Sequence, residues 1–316
     1  RIWRTWYVAG LAEYALPGDG SFTVPMPDNG IANQRIQTFT VDIHVPTSAP
    51  VGLHTGKLVV EGNSRTVTLG VRVQVHTATL PDTTFFRPEL NCYGGPGRAG
   101  SAKFRDSHRL AHYHRCTINR VPYNQSGRVH EDMAPKLDGR GRITDWTAFD
   151  RDLGGLLDGS WFAKNPRAGV PVPTIYLPLH EGWPLNFRDH YQPGKGLLPE
   201  PKNKEHQLRH DALAAPPTEA LSAPFNQAFA TATRDFYDHF AERGWNRTLV
   251  EFYLNNKPSF GYTVWTLDEP VKYRDWAALN HFARLFKESI PDQTPYNRRW
   301  HEGRFLDDLA GVGRKT

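Results

Sequence analysis

The chain has 316 residues, 39% hydrophobic and 12% aromatic, with 27 Gly and 25 Pro, a composition that buries a sizeable core yet favours turns and long loops over a helical bundle. A net charge of +5, with Lys and Arg scattered and no nucleic-acid motif, reads as a solvated surface and excludes a dedicated nucleic-acid binder. No apolar run approaches the ~20 residues of a membrane span.

Residues 1–80 read as all-β. Phe39 to Val45 alternates, Pro46 to Gly52 turns, Gly56 to Glu61 follows, and Thr66 to Val75 alternates again. Short strands between turn signals point to an antiparallel β-sandwich acting as a supporting domain. Residues 81–87 read as a linker.

From residue 88 strands alternate with helices. Strands are expected at Leu90 to Tyr93, Cys116 to Val121, Pro173 to Leu179 and Leu249 to Leu254, with a fifth starting within Leu306 to Val312. Helices are expected over Ser107 to Tyr113 and Trp146 to Leu157. A third carries Phe225, Phe229, Ala232, Phe236 and Phe240 at 3.6-residue spacing and is ended by Gly244. A fourth has the stripe Trp276, Leu279, Ala283, Phe286 and Ile290. Residues 187–223 read as a long excursion with little regular structure. Alternating strands and helices imply parallel βα units, and gathering acids around one mouth favours a (β/α)8 barrel of the TIM type over 88–316. Four or five strands are visible where eight are needed, so the barrel is expected to be truncated at its C-terminal side. The chain opens on Arg1 rather than Met, as a processed protein or a fragment does.

Chemistry concentrates in Trp265-Thr-Leu-Asp-Glu-Pro270. Pro270 holds Glu269 extended, and neighbouring strand residues face opposite ways. Asp268 and Glu269 therefore share a site only where the backbone leaves regular geometry. Paired carboxylates with separated pKa values are the equipment for cleaving a glycosidic bond, and a solvated turn is the alternative. An ionised Asp268 next to Glu269 would keep the latter protonated by like-charge repulsion.

Other groups carry weaker signals. Asn255 and Asn256 end the fourth strand, where a barrel binds substrate, and His180, Glu181 and Trp183 close the third, a polar pair beside an indole. His108 and His112 share a helix face but lack the HExxH context of a metal site, so no metal and no cofactor are expected. Gly94-Gly-Pro-Gly97 reads as a turn, and a GxSxG elbow is absent. Cys92 and Cys116 fall on neighbouring strands and are open either to pairing or to remaining free thiols.

Taken together, the chain resembles glycoside hydrolase family 123 and its uncharacterised relatives. The resemblance rests on Val45-Pro46, Pro50-Val-Gly52 and Thr55-Gly56 with the Leu80-Pro81 junction, on Leu90-Asn-Cys-Tyr-Gly94, on His180-Glu-Gly-Trp183 and, most sharply, on Trp265-Thr-Leu-Asp-Glu-Pro270. It implies a β-N-acetylgalactosaminidase with a sandwich followed by a (β/α)8 barrel, working by substrate-assisted retention. Asp268 then orients the substrate's 2-acetamido group, Glu269 protonates the leaving oxygen, and His180, Glu181, Trp183, Asn255, Asn256 and Trp265 bind sugar. A tyrosine that donates to the acetamido carbonyl is also implied, with Tyr93, Tyr176, Tyr253 and Tyr262 all candidates. The partner is a glycan or glycoconjugate, and the location secreted or in the cell envelope. Two other readings stay open: a glycosidase for a different sugar, and a catalytically silent carbohydrate-binding or cell-surface structural protein on the same scaffold.

Overall fold

A computed structural model of the chain describes residues 2–5, 11–14, 43–62, 64–84, 86–92, 95–124, 127–191, 216–257, 265–270, 272–291 and 304–306. The chain divides into two units, Arg1–Leu80 and Pro81–Thr316.

In the first unit, β1 (Ile2–Thr5) pairs antiparallel with β2 (Leu11–Tyr14), and β3 (Gly52–Gly62) pairs antiparallel with β4 (Arg65–Val75). The β3–β4 register sets Leu58 against Leu69 and Val60 against Val67. Alternation of side chains along a strand then gathers Leu58, Val60, Val67, Leu69, Val71 and Val73 on one side of the hairpin, with Thr55, Lys57, Thr66, Thr68 and Arg72 on the other. Among the described residues the unit forms two two-stranded ribbons rather than two facing sheets. Of the strand expected from Phe39, residues 43–45 are irregular and 39–42 lie outside the described residues.

The second unit has parallel strands separated by helices. Strand β5 (Glu89–Cys92) leads through α1 (Ala102–Tyr113) to its parallel neighbour β6 (Thr117–Arg120). A short antiparallel pair, β7 (Lys136–Leu137) with β8 (Ile143–Asp145), precedes α2 (Thr147–Leu157) and β9 (Thr174–Tyr176). The short helices α3 (Phe187–His190) and α4 (Pro217–Ala220) and the long α5 (Ala223–Glu242) lead to β10 (Leu249–Tyr253). Then come α6 (Tyr273–Glu288) and β11 (Arg304–Leu306), in the sheet order β11–β10–β9, all parallel. Five parallel strands in groups of two and three are thus present among the described residues, fewer than a closed eight-stranded barrel contains.

Local signals account for the element ends. Ser101 caps α1, its hydroxyl accepting from Phe104 N at 3.2 Å. Gly244, left-handed at φ +69°, ends α5, and Trp245 N donates back to Phe240 O at 2.9 Å. The α5 residues Phe225, Phe229, Ala232, Phe236 and Phe240 are all buried.

The two faces of the parallel strands differ in kind. Phe252 of β10 packs on Phe286 and Phe229, with ring centroids 5.1 and 6.0 Å apart, so Val250 and Phe252 face the helices. Leu249, Glu251 and Tyr253 therefore face the other way, as Thr174 and Tyr176 of β9 do opposite Ile175. That second face is polar but buried: Thr117, Asn119, Thr174 and Glu251 are each nearly or wholly inaccessible. Asn119 Nδ2 donates to Thr174 Oγ1 at 2.8 Å and ties β6 to β9.

The same register keeps the two cysteines apart. Cys92 lies level with Arg120, whereas Cys116 precedes Thr117, which lies level with Glu89. An offset of four residues is ~13 Å along a strand, beyond the ~7 Å Cα separation a disulfide spans. Both are free thiols.

Candidate functional site at the carboxyl ends of the parallel strands

Segment 265–270, which carries the acid pair, is pinned from two sides. Leu267 N and Asp268 N both donate to Asn256 O just past β10, at 3.0 and 3.3 Å. On the other side Asp275, buried in the first turn of α6, accepts from Thr266 N at 3.0 Å and from Lys272 N at 3.0 Å. One carboxylate thus caps a helix and fixes the strand-to-helix turn. Trp265 is fully buried, its ring 5.7 Å from Phe187 and 6.0 Å from Tyr191.

The backbone leaves strand geometry here, and the two acids enter different surroundings. Asp268 is buried, its side chain 4% exposed, whereas the Glu269 side chain is 58% exposed. They meet through a third residue. Lys257 Nζ lies 2.8 Å from Asp268 Oδ2 and 2.9 Å from Glu269 Oε2, and the Tyr253 hydroxyl donates to Asp268 Oδ1. Burial pushes the Lys257 ammonium down, but its bonds to Asp268 and Glu269 outweigh that, so its pKa lies above the ordinary lysine value. Repulsion between adjacent carboxylates is therefore only half of the electrostatics, because a cation sits between them.

His180 and Glu181 after β9, with Asn255 and Asn256 after β10, form one connected and fully buried group. Gly182 N donates to His180 Nδ1 at 3.2 Å, which assigns the imidazole proton to Nε2. From there it reaches Glu181 Oε2 at 2.9 Å, with Asn255 Oδ1 at 3.3 Å. Asn256 Nδ2 donates to the same Glu181 oxygen at 3.2 Å. Among the described residues Glu181 Oε1 and Asn256 Oδ1 have no hydrogen-bond donor. Tyr123 stacks on His180 with centroids 4.1 Å apart, and its hydroxyl accepts from Tyr253 N. The imidazole group and the acid pair are thereby joined through Tyr123, Tyr253 and Asn256.

Of the residues expected to bind sugar, these four polar ones come together beside Asp268. Trp183 and Trp265 sit in the aromatic core, Trp183 with its ring 6.0 Å from Phe236, and neither indole has an open face. Tyr253 touches the pair through Asp268. Tyr176 lies on the buried polar face with Val121 and Tyr123, and Tyr93 and Tyr262 lie outside the described residues. Sequence reasoning missed Lys257 and Tyr123. A lysine just past a strand end, with Pro258 after it, resembles any turn, and no spacing rule links position 123 to position 253.

The helical histidines are held by backbone and a neighbour's amide. His108 Nδ1 lies 2.8 Å from Phe104 O, and His112 has Val170 O at 3.0 Å on Nε2 and Asn165 Nδ2 at 3.0 Å on Nδ1. Among the described residues no group of three or more His, Cys, Asp or Glu is placed to hold a metal ion. No helix among them is long and apolar enough to cross a membrane.

No family model, no curated protein and no solved structure matches the chain.

Proposed function

We propose that the chain is a glycoside hydrolase that removes β-linked N-acetylhexosamine, GalNAc first among them, from a glycan or glycoconjugate by retaining, substrate-assisted catalysis on a (β/α)-barrel scaffold, and that it is secreted or held in the cell envelope. The observation that carries the reading is the contact of a buried Asp268 with the Tyr253 hydroxyl, one residue away from an exposed Glu269, at the carboxyl ends of parallel strands. Asp268 accepts the acetamido N–H and turns the acetamido oxygen onto the anomeric carbon. As the C–O bond to that oxygen forms, the glycosidic bond breaks, and Glu269 passes its proton to the departing oxygen. The oxazolinium product is opened by a water that Glu269 deprotonates, which regenerates the acetamido group and gives the β-configured sugar. Tyr253 holds Asp268 in orientation. Lys257 compensates the charge of Asp268 and must release Glu269 before that residue can carry a proton.

The shared Lys257 favours one other reading, a sugar-binding or structural protein whose acid pair is tied up in an internal ion bridge. A chromogenic β-GalNAc substrate and an oxazoline-mimicking thiazoline separate the two. Turnover blocked by the thiazoline is expected. Binding of hexosaminides without turnover would sink the hydrolase.

A further inference from the structure

At the opposite, amino ends of the same strands lies a small cleft, with room for about 30 Å³ of solvent, lined by Arg87, Arg167 and Arg247 with Asp82, Thr83 and Thr84. Arg87 precedes β5, Arg247 precedes β10, and the cleft wall at Val170 to Pro173 precedes β9, so three chain segments deliver one guanidinium each. Arg167 is the telling member. Only 6% exposed, it donates from Nη1 to Asp82 O at 3.1 Å and from Nη2 to His112 O in the last turn of α1 at 2.8 Å, and its Nε has no acceptor among the described residues. Burying a guanidinium is costly unless an opposite charge accompanies it. The end of α1 supplies about half a negative charge and Asp82 one more, against three arginines. None of the three forms an ion pair among the described residues, and Arg115, which donates to Pro81 O, adds further positive charge nearby. The neutral state of His112 beside them follows the same field: burial first, then Arg167, lowers its pKa to about 4.

We propose that this cleft is a binding site for a small tetrahedral oxyanion, a phosphate or sulfate group, held by Arg87, Arg167 and Arg247 and by the Thr83 and Thr84 hydroxyls. Guanidinium forks match the oxygen spacing of such groups and form short charge-assisted bonds with them. The excess positive charge sets the sign of the ligand, and the few-atom scale of the cleft sets its size. An inorganic anion and the phosphate or sulfate ester of a larger ligand share this chemistry.

Thermal unfolding of the full chain near neutral pH, in sodium phosphate, sodium sulfate and sodium chloride at matched ionic strength, tests the site. Phosphate and sulfate are expected to raise the melting temperature saturably above the chloride curve. Arg87 is part-exposed and Arg247 exposed, and neither makes a side-chain hydrogen bond or ion pair among the described residues, so R87Q/R247Q should fold while needing about tenfold more anion for half-saturation. A phenyl phosphate arm separates the sources: a response equal to that of phosphate assigns an esterified group, and a response to the inorganic ions alone assigns the free anion. Coincident curves in the three salts would overturn the site. So would an R87Q/R247Q response identical to that of the unaltered protein.

Discussion

The two ends of the parallel strands handle charge in opposite ways. At the carboxyl end the described charges are internally matched: Lys257 serves Asp268 and Glu269, His180 and Asn256 serve Glu181, and Asp275 serves two backbone N–H groups. At the amino end the cleft is lined by three arginines and, among the described residues, one aspartate, with a neutral His112 offering its carbonyl to Arg167. Acids beside the N-terminus of α6 and a guanidinium on the C-terminal carbonyls of α1 each suit the local helix dipole. The difference teaches that compensation, rather than charge itself, distinguishes the ends. At one end the charges already have partners, and at the other positive charge exceeds negative among the described residues.

The sharpest break of this comparison is Glu269→Gln. Under the hydrolase reading it removes a general acid worth about 10²–10⁴ in rate, or roughly 3–5 kcal/mol of barrier. The kcat for β-GalNAc substrates with poor leaving groups should fall by that factor, with unfolding midpoint and anion response unchanged. Full activity in the variant would remove Glu269 from the chemistry.

Next comes the pH response of the amino end. The folded-state pKa of His112 lies near 4, below the ~6.5 of a free imidazole, so the unfolded chain takes up this proton first. Its contribution to stability is complete above about pH 6.5 and is lost as pH falls towards 4, in all about 3 kcal/mol. Urea midpoints of the native chain and His112→Gln should converge across that window, and a constant gap between them would contradict the assignment.

A smaller effect is expected from Asp275→Ala, which frees the N–H groups of Thr266 and Lys272 at a cost of about 1–2 kcal/mol. Under the hydrolase reading it lowers kcat more than it changes KM, because the acid pair loses its support. Guanidinium-induced unfolding and steady-state kinetics on one preparation read both, and unaltered stability would show that Asp275 caps nothing. The smallest is Lys257→Met. With its pKa raised by its two carboxylates, Lys257 contributes stability that is present below the ordinary lysine value and is lost as pH rises through the folded one. The variant should therefore lack the native loss of stability above about pH 10.

Periodicity made the helices legible to different degrees. In α5 every residue of the expected stripe is buried, because an unbroken Phe and Ala series leaves one possible face. In α6 the buried stripe runs through Ala278, Leu279, Phe282 and Phe286, with Trp276 and Ala283 only part-buried. Tryptophan is large enough to suggest a core face that its neighbours in fact supply. Helix α1 starts five residues before the expected Ser107, and its signal was the Ser101 cap rather than hydrophobic spacing. Strands β5, β6, β9 and β10 lie where short apolar runs indicated, but the β7–β8 pair, with only Leu137 and Ile143 as apolar members, left no pattern. In the site, the neighbours Asp268 and Glu269 could be read directly. Which candidates meet could not, since the contacts of Tyr123 with Tyr253 and of His180 with Asn255 cross 130 and 75 residues.

Under the hydrolase reading, a single ammonium shared by two carboxylates also bears on inhibitor design. Sugar mimics that carry a ring nitrogen gain affinity in many acid pockets by presenting a cation to an unmatched carboxylate. Here that place is taken by the four-carbon arm of Lys257, so a protonated mimic has to displace a tethered competitor, whereas an uncharged one does not.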